Sequence, residues 1–178
     1  MIERSSQYRR LFFALSPDDE TRAEIGSVVA SVNAAEVGQV VSQANLHLTL
    51  LYLGVVDVSR QAELVTAASN IKPSRFKLQL DRVGYWQKSK VIWLAPSVLP
   101  DELASLVSQL RGKMRELGYD LDDRPFSPHV TLLRHVKRGS VQKSIAPLEW
   151  LVAGFSLMVS EASSQGVTYR PLQTWPLN

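Results

Sequence analysis

Cysteine is missing from all 178 residues, which excludes disulfides, thiolate metal sites and cysteine nucleophiles together. No apolar run approaches the roughly 18 residues of a membrane span. The opening Met1-Ile2-Glu3-Arg4-Ser5-Ser6-Gln7 also lacks the apolar stretch of a secretory signal. A soluble cytoplasmic protein with no membrane partner is therefore expected. Charge of one sign is scarce too: 20 basic against 17 acidic side chains leave a net +3. That permits a local basic patch but not the surface charge of a protein that wraps duplex, so any nucleic-acid contact should be short. With 45% hydrophobic and 21% charged residues the composition is globular, which removes disorder, collagen and coiled coil as overall classes. The length favours one domain, or two small lobes sharing a core.

What is present has an order, and the order returns. Leu11-Phe12-Phe13-Ala14-Leu15 suits a short buried strand. Ser16-Pro17-Asp18-Asp19-Glu20 then supplies a cap, a proline at the first helical position and acids favoured by the helix dipole. Ile25, Val28, Val29 and Val32 make one apolar face of a helix running to about Asn33, and a strand spans Leu46 to Leu53 before Gly54. Later, Val91-Ile92-Trp93-Leu94-Ala95 is strand-like and Pro100-Asp101-Glu102 opens a helix. Its stripe is Leu103, Leu106, Val107, Leu110, Met114 and Leu117, and Gly118 stops it. A strand from His129 to Val136 follows, with Pro128 at its mouth. Alternating segments at Phe76 to Leu80 and Phe155 to Val159 continue the two units, and Ser59 to Asn70 reads as a further helix. The repeat covers roughly residues 10–80 and 90–160. It predicts a single domain over 1–178, built as two α+β lobes packed across a cleft.

Histidine is the second scarcity, with three in the chain, at 47, 129 and 135. Two of them head matching strings, His47-Leu48-Thr49-Leu50 and His129-Val130-Thr131-Leu132. Only six threonines stand among 178 residues, so Thr two places after both histidines is a poor candidate for coincidence. On a strand, residues i and i+2 share a face, so each His points with its Thr while the leucines and Val130 point away. If duplicated lobes face each other about an approximate two-fold, both pairs converge on one cleft. Two imidazoles with ordinary pKa near ~6.5 then act as one base and one acid for in-line phosphoester chemistry. The hydroxyls of Thr49 and Thr131 add neutral donors for phosphoryl oxygens whose charge grows in the transition state. Taken singly, a buried His beside a Thr is ordinarily a satisfied structural pair. A metal site is the other alternative, but neither motif offers an Asp, Glu or Cys to complete a ligand set.

The sequence resembles the two-histidine phosphoesterases, and within them the bacterial RNA 2′,3′-cyclic phosphodiesterases formerly named 2′-5′ RNA ligases. The resemblance covers nearly the whole chain. It rests on Arg10-Leu11-Phe12-Phe13-Ala14, on Asn45-Leu46-His47-Leu48-Thr49-Leu50 with Leu53-Gly54, and on Val91-Ile92-Trp93-Leu94. It continues through Arg124-Pro125-Phe126-Ser127-Pro128-His129-Val130-Thr131-Leu132-Leu133-Arg134 to Tyr169-Arg170-Pro171-Leu172 with Trp175. It implies an α+β bilobal fold, two antiparallel sheets flanked by helices around a central cleft, and no metal or other cofactor. It also implies hydrolysis of a terminal RNA 2′,3′-cyclic phosphate to a 2′-phosphate, with His47 as proton donor to O3′ and His129 as proton acceptor from water. The expected partners are single-stranded RNA 3′ ends, tRNA-derived ends among them, met by a monomer.

Arg134 follows the second motif. Strict alternation turns it away from His129 and Thr131, and a bulge or the strand end would return it to the cleft as a phosphate or base contact. Phe12 and Phe13 go to opposite faces; one of them, taken as Phe13, stacks a terminal base, or both belong to the core. The run Arg134-His135-Val136-Lys137-Arg138, with Lys143 beyond, either tracks an RNA backbone or is a solvated surface, with His135 a bystander. Small cyclic nucleotides or ADP-ribose cyclic phosphate are alternative substrates, and 2′-5′ joining is a side activity of the same chemistry. The rival of another class is a noncatalytic RNA-end-binding module. It is disfavoured because each motif supplies one titrating imidazole and one neutral hydroxyl rather than cations.

Overall fold

The apolar runs read as strands do pair, and every pairing is antiparallel. A computed structural model of the chain describes residues 7–33, 38–137, 143–164 and 166–178. Its elements in chain order are β1 (Tyr8–Leu15), α1 (Asp19–Asn33), β2 (Gln39–Val40), β3 (Leu48–Asp57), α2 (Gln61–Ser69), β4 (Phe76–Trp86), β5 (Val91–Ala95), α3 (Asp101–Glu116), β6 (Val130–Arg134), β7 (Lys143–Val152), β8 (Gly154–Ser163) and β9 (Gly166–Pro176). The cap of α1 is Asp18 rather than Ser16: its carboxylate accepts from the Thr21 N–H at 2.8 Å, which also holds its pKa below the usual carboxylate value.

The sheet runs β7-β4-β5-β6-β3-β1-β8-β9, with β2 added beside β6. This order is symmetric about its middle. The inner positions are filled by the two strand-helix-strand units, β1-α1-β3 on one side and β5-α3-β6 on the other. One later strand from each half of the sequence then crosses over: β4 pairs with β5, and β8 pairs with β1, while β7, which follows β6 directly, pairs with β4. The helices cross as well, since α1 packs on β7 and β6 while α3 packs on β3. Each antiparallel half of the sheet is thus built from both halves of the sequence. The two halves meet at a single register pair between β3 and β6, Leu48 with Val130.

One face of the sheet carries the core. Leu48, Leu50, Val130 and Leu132 are buried there against Ile25 and Val32 of α1 and the stripe of α3. The opposite face holds a small separate cluster of Phe12, Ala14 and Met158 under Tyr169. The outermost strands, β7 and β9, were not legible in the sequence. Both carry a proline, Pro147 and Pro171, close to a register irregularity, as edge strands tolerate.

Candidate active site

The Leu48–Val130 pair fixes the site. With these two side chains in the core, continuing the antiparallel register by one residue each way sets His47 opposite Thr131 and Thr49 opposite His129. All four therefore share the open face, at the seam where the halves of the sheet meet. The structure brings together the four residues singled out in the sequence.

Each imidazole is held at Nδ1 by a backbone carbonyl two residues earlier, Asn45 at 2.7 Å and Ser127 at 2.9 Å. A carbonyl only accepts, so Nδ1 carries the proton and Nε2 of the neutral ring is the basic nitrogen. Nε2 of His47 lies 3.1 Å from the Thr49 hydroxyl. That of His129 makes no hydrogen bond to a described residue. Aromatic rings set the planes: Phe12 and Tyr169 pack on His47 at centroid distances of 5.1 and 4.8 Å, and Trp86 meets His129 edge-on at 4.5 Å. The Asn45 side chain ties Tyr169 down, donating to the Val167 carbonyl at 2.7 Å and accepting from the Tyr169 N–H at 3.1 Å.

Burial lowers the pKa of both histidines below the ordinary imidazole value, against the raising effect of their carbonyl partners. The positive charge of Arg134 adds to the lowering in each case, and His129 itself adds to it at His47. Arg134 thus acts electrostatically on both rings, and the backbone explains how it gets there. Between β5 and β6, Trp93 pairs with Thr131 and Ile92 with Leu133, leaving Leu132 as an extra residue. This bulge buries Leu132 and Leu133 in succession and returns the exposed Arg134 to the face of Thr131. Beside the site a cavity of about 400 Å³ is lined by Arg134, Asn45, Tyr169 and the exposed His135, and by neither His-Thr pair.

The first motif repeats the device. Phe13 pairs with Leu51 and Ala14 with Thr49, so Leu50 is the extra residue, and Leu50 and Leu51 are both buried before Tyr52, which is 58% exposed. Tyr52 stands in its motif where Arg134 stands in the other, five residues after the histidine. Sequence reasoning missed it, although that equal spacing was a usable signal.

One expectation needs correction. Phe13 does not face the site: it is fully buried on the core side, against Phe155 and Trp175. The ring on the His47 side is Phe12, because Ala14 pairs with Thr49 and Phe12 shares its face. Arg134 and Lys143, the two ends of the basic stretch, stand apart in the sheet. Arg134 ends β6 and Lys143 begins β7, with β5 and β4 between them, and Arg138 lies outside the described residues. Among the described residues no three His, Asp or Glu side chains are grouped to hold a metal ion, and no helix is long and apolar enough to cross a membrane.

The family model described as the 2′-5′ RNA ligase superfamily matches residues 17–163. A protein of Escherichia coli K12 named RNA 2′,3′-cyclic phosphodiesterase is 36% identical over 176 residues, 97% of this chain and 98% of its own length. A protein of the same name from Archaeoglobus fulgidus is 27% identical, over 93% of this chain and 99% of its own. Among solved structures, E. coli LigT complexed with 3′-AMP superposes with a TM-score of 0.89 at 34% identity, covering 96% of this chain and 99% of LigT. With paired His and Thr on one face of a duplicated antiparallel sheet, and with a family match across most of its length, this chain belongs to the 2′-5′ RNA ligase superfamily.

Proposed function

We propose that this protein is an RNA 2′,3′-cyclic phosphodiesterase, opening a terminal cyclic phosphate to a 2′-phosphate without a metal. The observation that carries this reading is the register at the seam, which sets two His-Thr pairs across one another with both Nδ1 atoms held and both Nε2 atoms on the basic side. The names of the full-length relatives support the substrate class.

In the proposed reaction, water attacks phosphorus from the side of His129, whose Nε2 takes the proton. The P–O3′ bond breaks on the opposite side, and O3′ leaves with the proton of His47. One water is consumed, and a proton relay through solvent resets the two rings. Thr49 and Thr131 donate to the non-bridging oxygens, and Arg134 supplies the positive charge that balances the phosphoryl dianion. The unbonded Nε2 of His129 favours it as the base, and the anionic substrate restores the proton affinity that burial takes from His47.

The test is hydrolysis of a cyclic-ended oligonucleotide in excess EDTA, with the product read by phosphorus NMR. A 2′-phosphate is expected, and His47→Ala and His129→Ala should each slow turnover by about 10²–10⁴-fold while leaving the melting curve unchanged. A chelator-sensitive activity restored by manganese, or a histidine variant at wild-type rate, would overturn the mechanism. A dominant 3′-phosphate would reverse the roles of the two histidines.

A further inference from the structure

β9 ends the sheet, so its outer edge carries backbone N–H and C=O groups with no strand beyond them among the described residues. At two of these groups a single side chain takes the place of the missing strand. The Asn45 amide donates to the Val167 carbonyl at 2.7 Å and accepts from the Tyr169 N–H at 3.1 Å, across 122 and 124 residues of sequence. Backbone groups two residues apart on a strand point the same way, and Thr168 between them turns towards its partner Glu161 on β8. One primary amide therefore meets the edge as a residue of a further strand would.

The same residue holds His47. Its main-chain carbonyl accepts from Nδ1 at 2.7 Å, and the Tyr169 ring that its side chain anchors meets the imidazole at 4.8 Å and 75°. Phe12 completes the wall, 5.1 Å from His47 and edge-on to Tyr169 at 5.2 Å. Carbonyl and ring control different things. The carbonyl selects the nitrogen that keeps its proton, and the rings fix the plane along which Nε2 points. When Nε2 gives up a proton, the Nδ1–H tautomer remains, and that is the form this carbonyl stabilises.

The contact is not backed by packed core. On its other side lies the cavity of about 400 Å³, walled by Gly166, Val167, Tyr169 and Arg134. His129 is held in another way. Its carbonyl belongs to Ser127, whose side chain makes no hydrogen bond to a described residue, and its ring meets Trp86 at the end of β4. The link between an edge strand and an imidazole belongs to the His47 side alone.

We propose that Asn45 is a positioning residue that latches the first residues of β9 onto His47, so that docking of this edge strand sets the tautomer and plane of the imidazole. Only its catalytic consequence rests on the cyclic phosphodiesterase reading above. Loss of the side chain frees the Tyr169 ring and the short turn of residues 43–45 together, and Nε2 of His47 then leaves the line to O3′ in part of the molecules. Such a misalignment slows the step in which the proton moves. Ground-state binding, which the amide does not touch, stays as it was.

The experiment compares the unaltered protein with Asn45→Ala. Asn45 lies outside the apolar core, so the variant should fold with nearly the same melting curve. Histidine nitrogen NMR on isotope-labelled protein, without substrate, reads the tautomer of each ring. The Nδ1–H form of His47 should give way to a mixture with the Nε2–H form, while His129 stays unchanged. On a cyclic-ended oligonucleotide kcat should fall about 10–100-fold with KM little altered. An unchanged His47 tautomer, an equal change in both histidines, an unaltered kcat or a rise in KM alone would overturn the latch. Absence of hydrolysis by the unaltered protein would overturn the activity instead, and the NMR comparison would still decide the latch.

Discussion

At the scale of single residues, the chemistry depends on how two imidazoles with depressed pKa divide acid and base roles. The base works when neutral, so a lowered pKa extends its action below the ordinary histidine range near ~6.5. The acid works when protonated, so a lowered pKa removes it at a lower pH. Both limbs of kcat/KM should therefore fall on the acid side of an unperturbed histidine pair, as two macroscopic values of the coupled site. In kcat, which reports the substrate complex, the anionic phosphate stabilises imidazolium and the alkaline limb should move to higher pH. Arg134→Gln removes a positive neighbour from both rings, so it should shift both limbs of kcat/KM upward. A stopped-time assay across the pH range checks the sign of each movement, and a downward shift in the variant would contradict this electrostatic assignment. The threonines are a second case. Their hydroxyls act on charge that develops during reaction, so Thr49→Val and Thr131→Val should each lower kcat by about 10-fold or more and change KM little. A pure rise in KM would assign them to ground-state binding.

At the scale of elements, one bulge device used twice explains what alternation alone misjudges. Strict period two sends Arg134 away from Thr131, and the extra residue Leu132 turns it back. The same insertion at Leu50 turns Tyr52 to the open face. A bulge leaves little trace in composition, because Leu-Leu fits a buried strand whichever residue is extra. Phe12 and Phe13 show the same limit: alternation separates them, and only the pairing of Ala14 with Thr49 says which one meets His47. The hairpin of β4 and β5 offers a direct test. Gly84 is needed because the Trp93 indole occupies the volume a Cβ would take, at 2.2 Å. Gly84→Ala should therefore destabilise by about 1–3 kcal/mol through overpacking, measured by urea unfolding with indole fluorescence. Trp93→Leu in the same chain should recover part of that loss, and no loss in the single variant would show that the indole has another resting place.

At the scale of the molecule, the exchange of β4 and β8 between the halves ties the repeat into one unit. A chain cut after Gln87 would hold β1 and β3 without β8, and β4 without β5 or β7. Its strands would lack the partners that cover their edges and bury their core faces. The fragment 1–87 should remain unfolded by circular dichroism. The full chain should melt in one transition, coincident in fluorescence and ellipticity. Two separate transitions would instead mean that the halves of the sheet are independent.

The sequence alone carried the elements whose signals are local: the stripe of α3, the inner strands, the repeated strand-helix-strand unit, and the face shared by each His and its Thr. These follow from periodicity, which is a property of neighbours along the chain. The edge strands β7 and β9 were lost because they are largely exposed and interrupted by proline. What only the tertiary structure decided is non-local. Which sheet half receives β4 and β8, which phenylalanine meets His47, how Arg134 returns to the open face, and where β3 and β6 come into register all depend on pairing between segments far apart in sequence. Register is set by the simultaneous burial of many side chains on one face, and no single stretch of chain contains that sum.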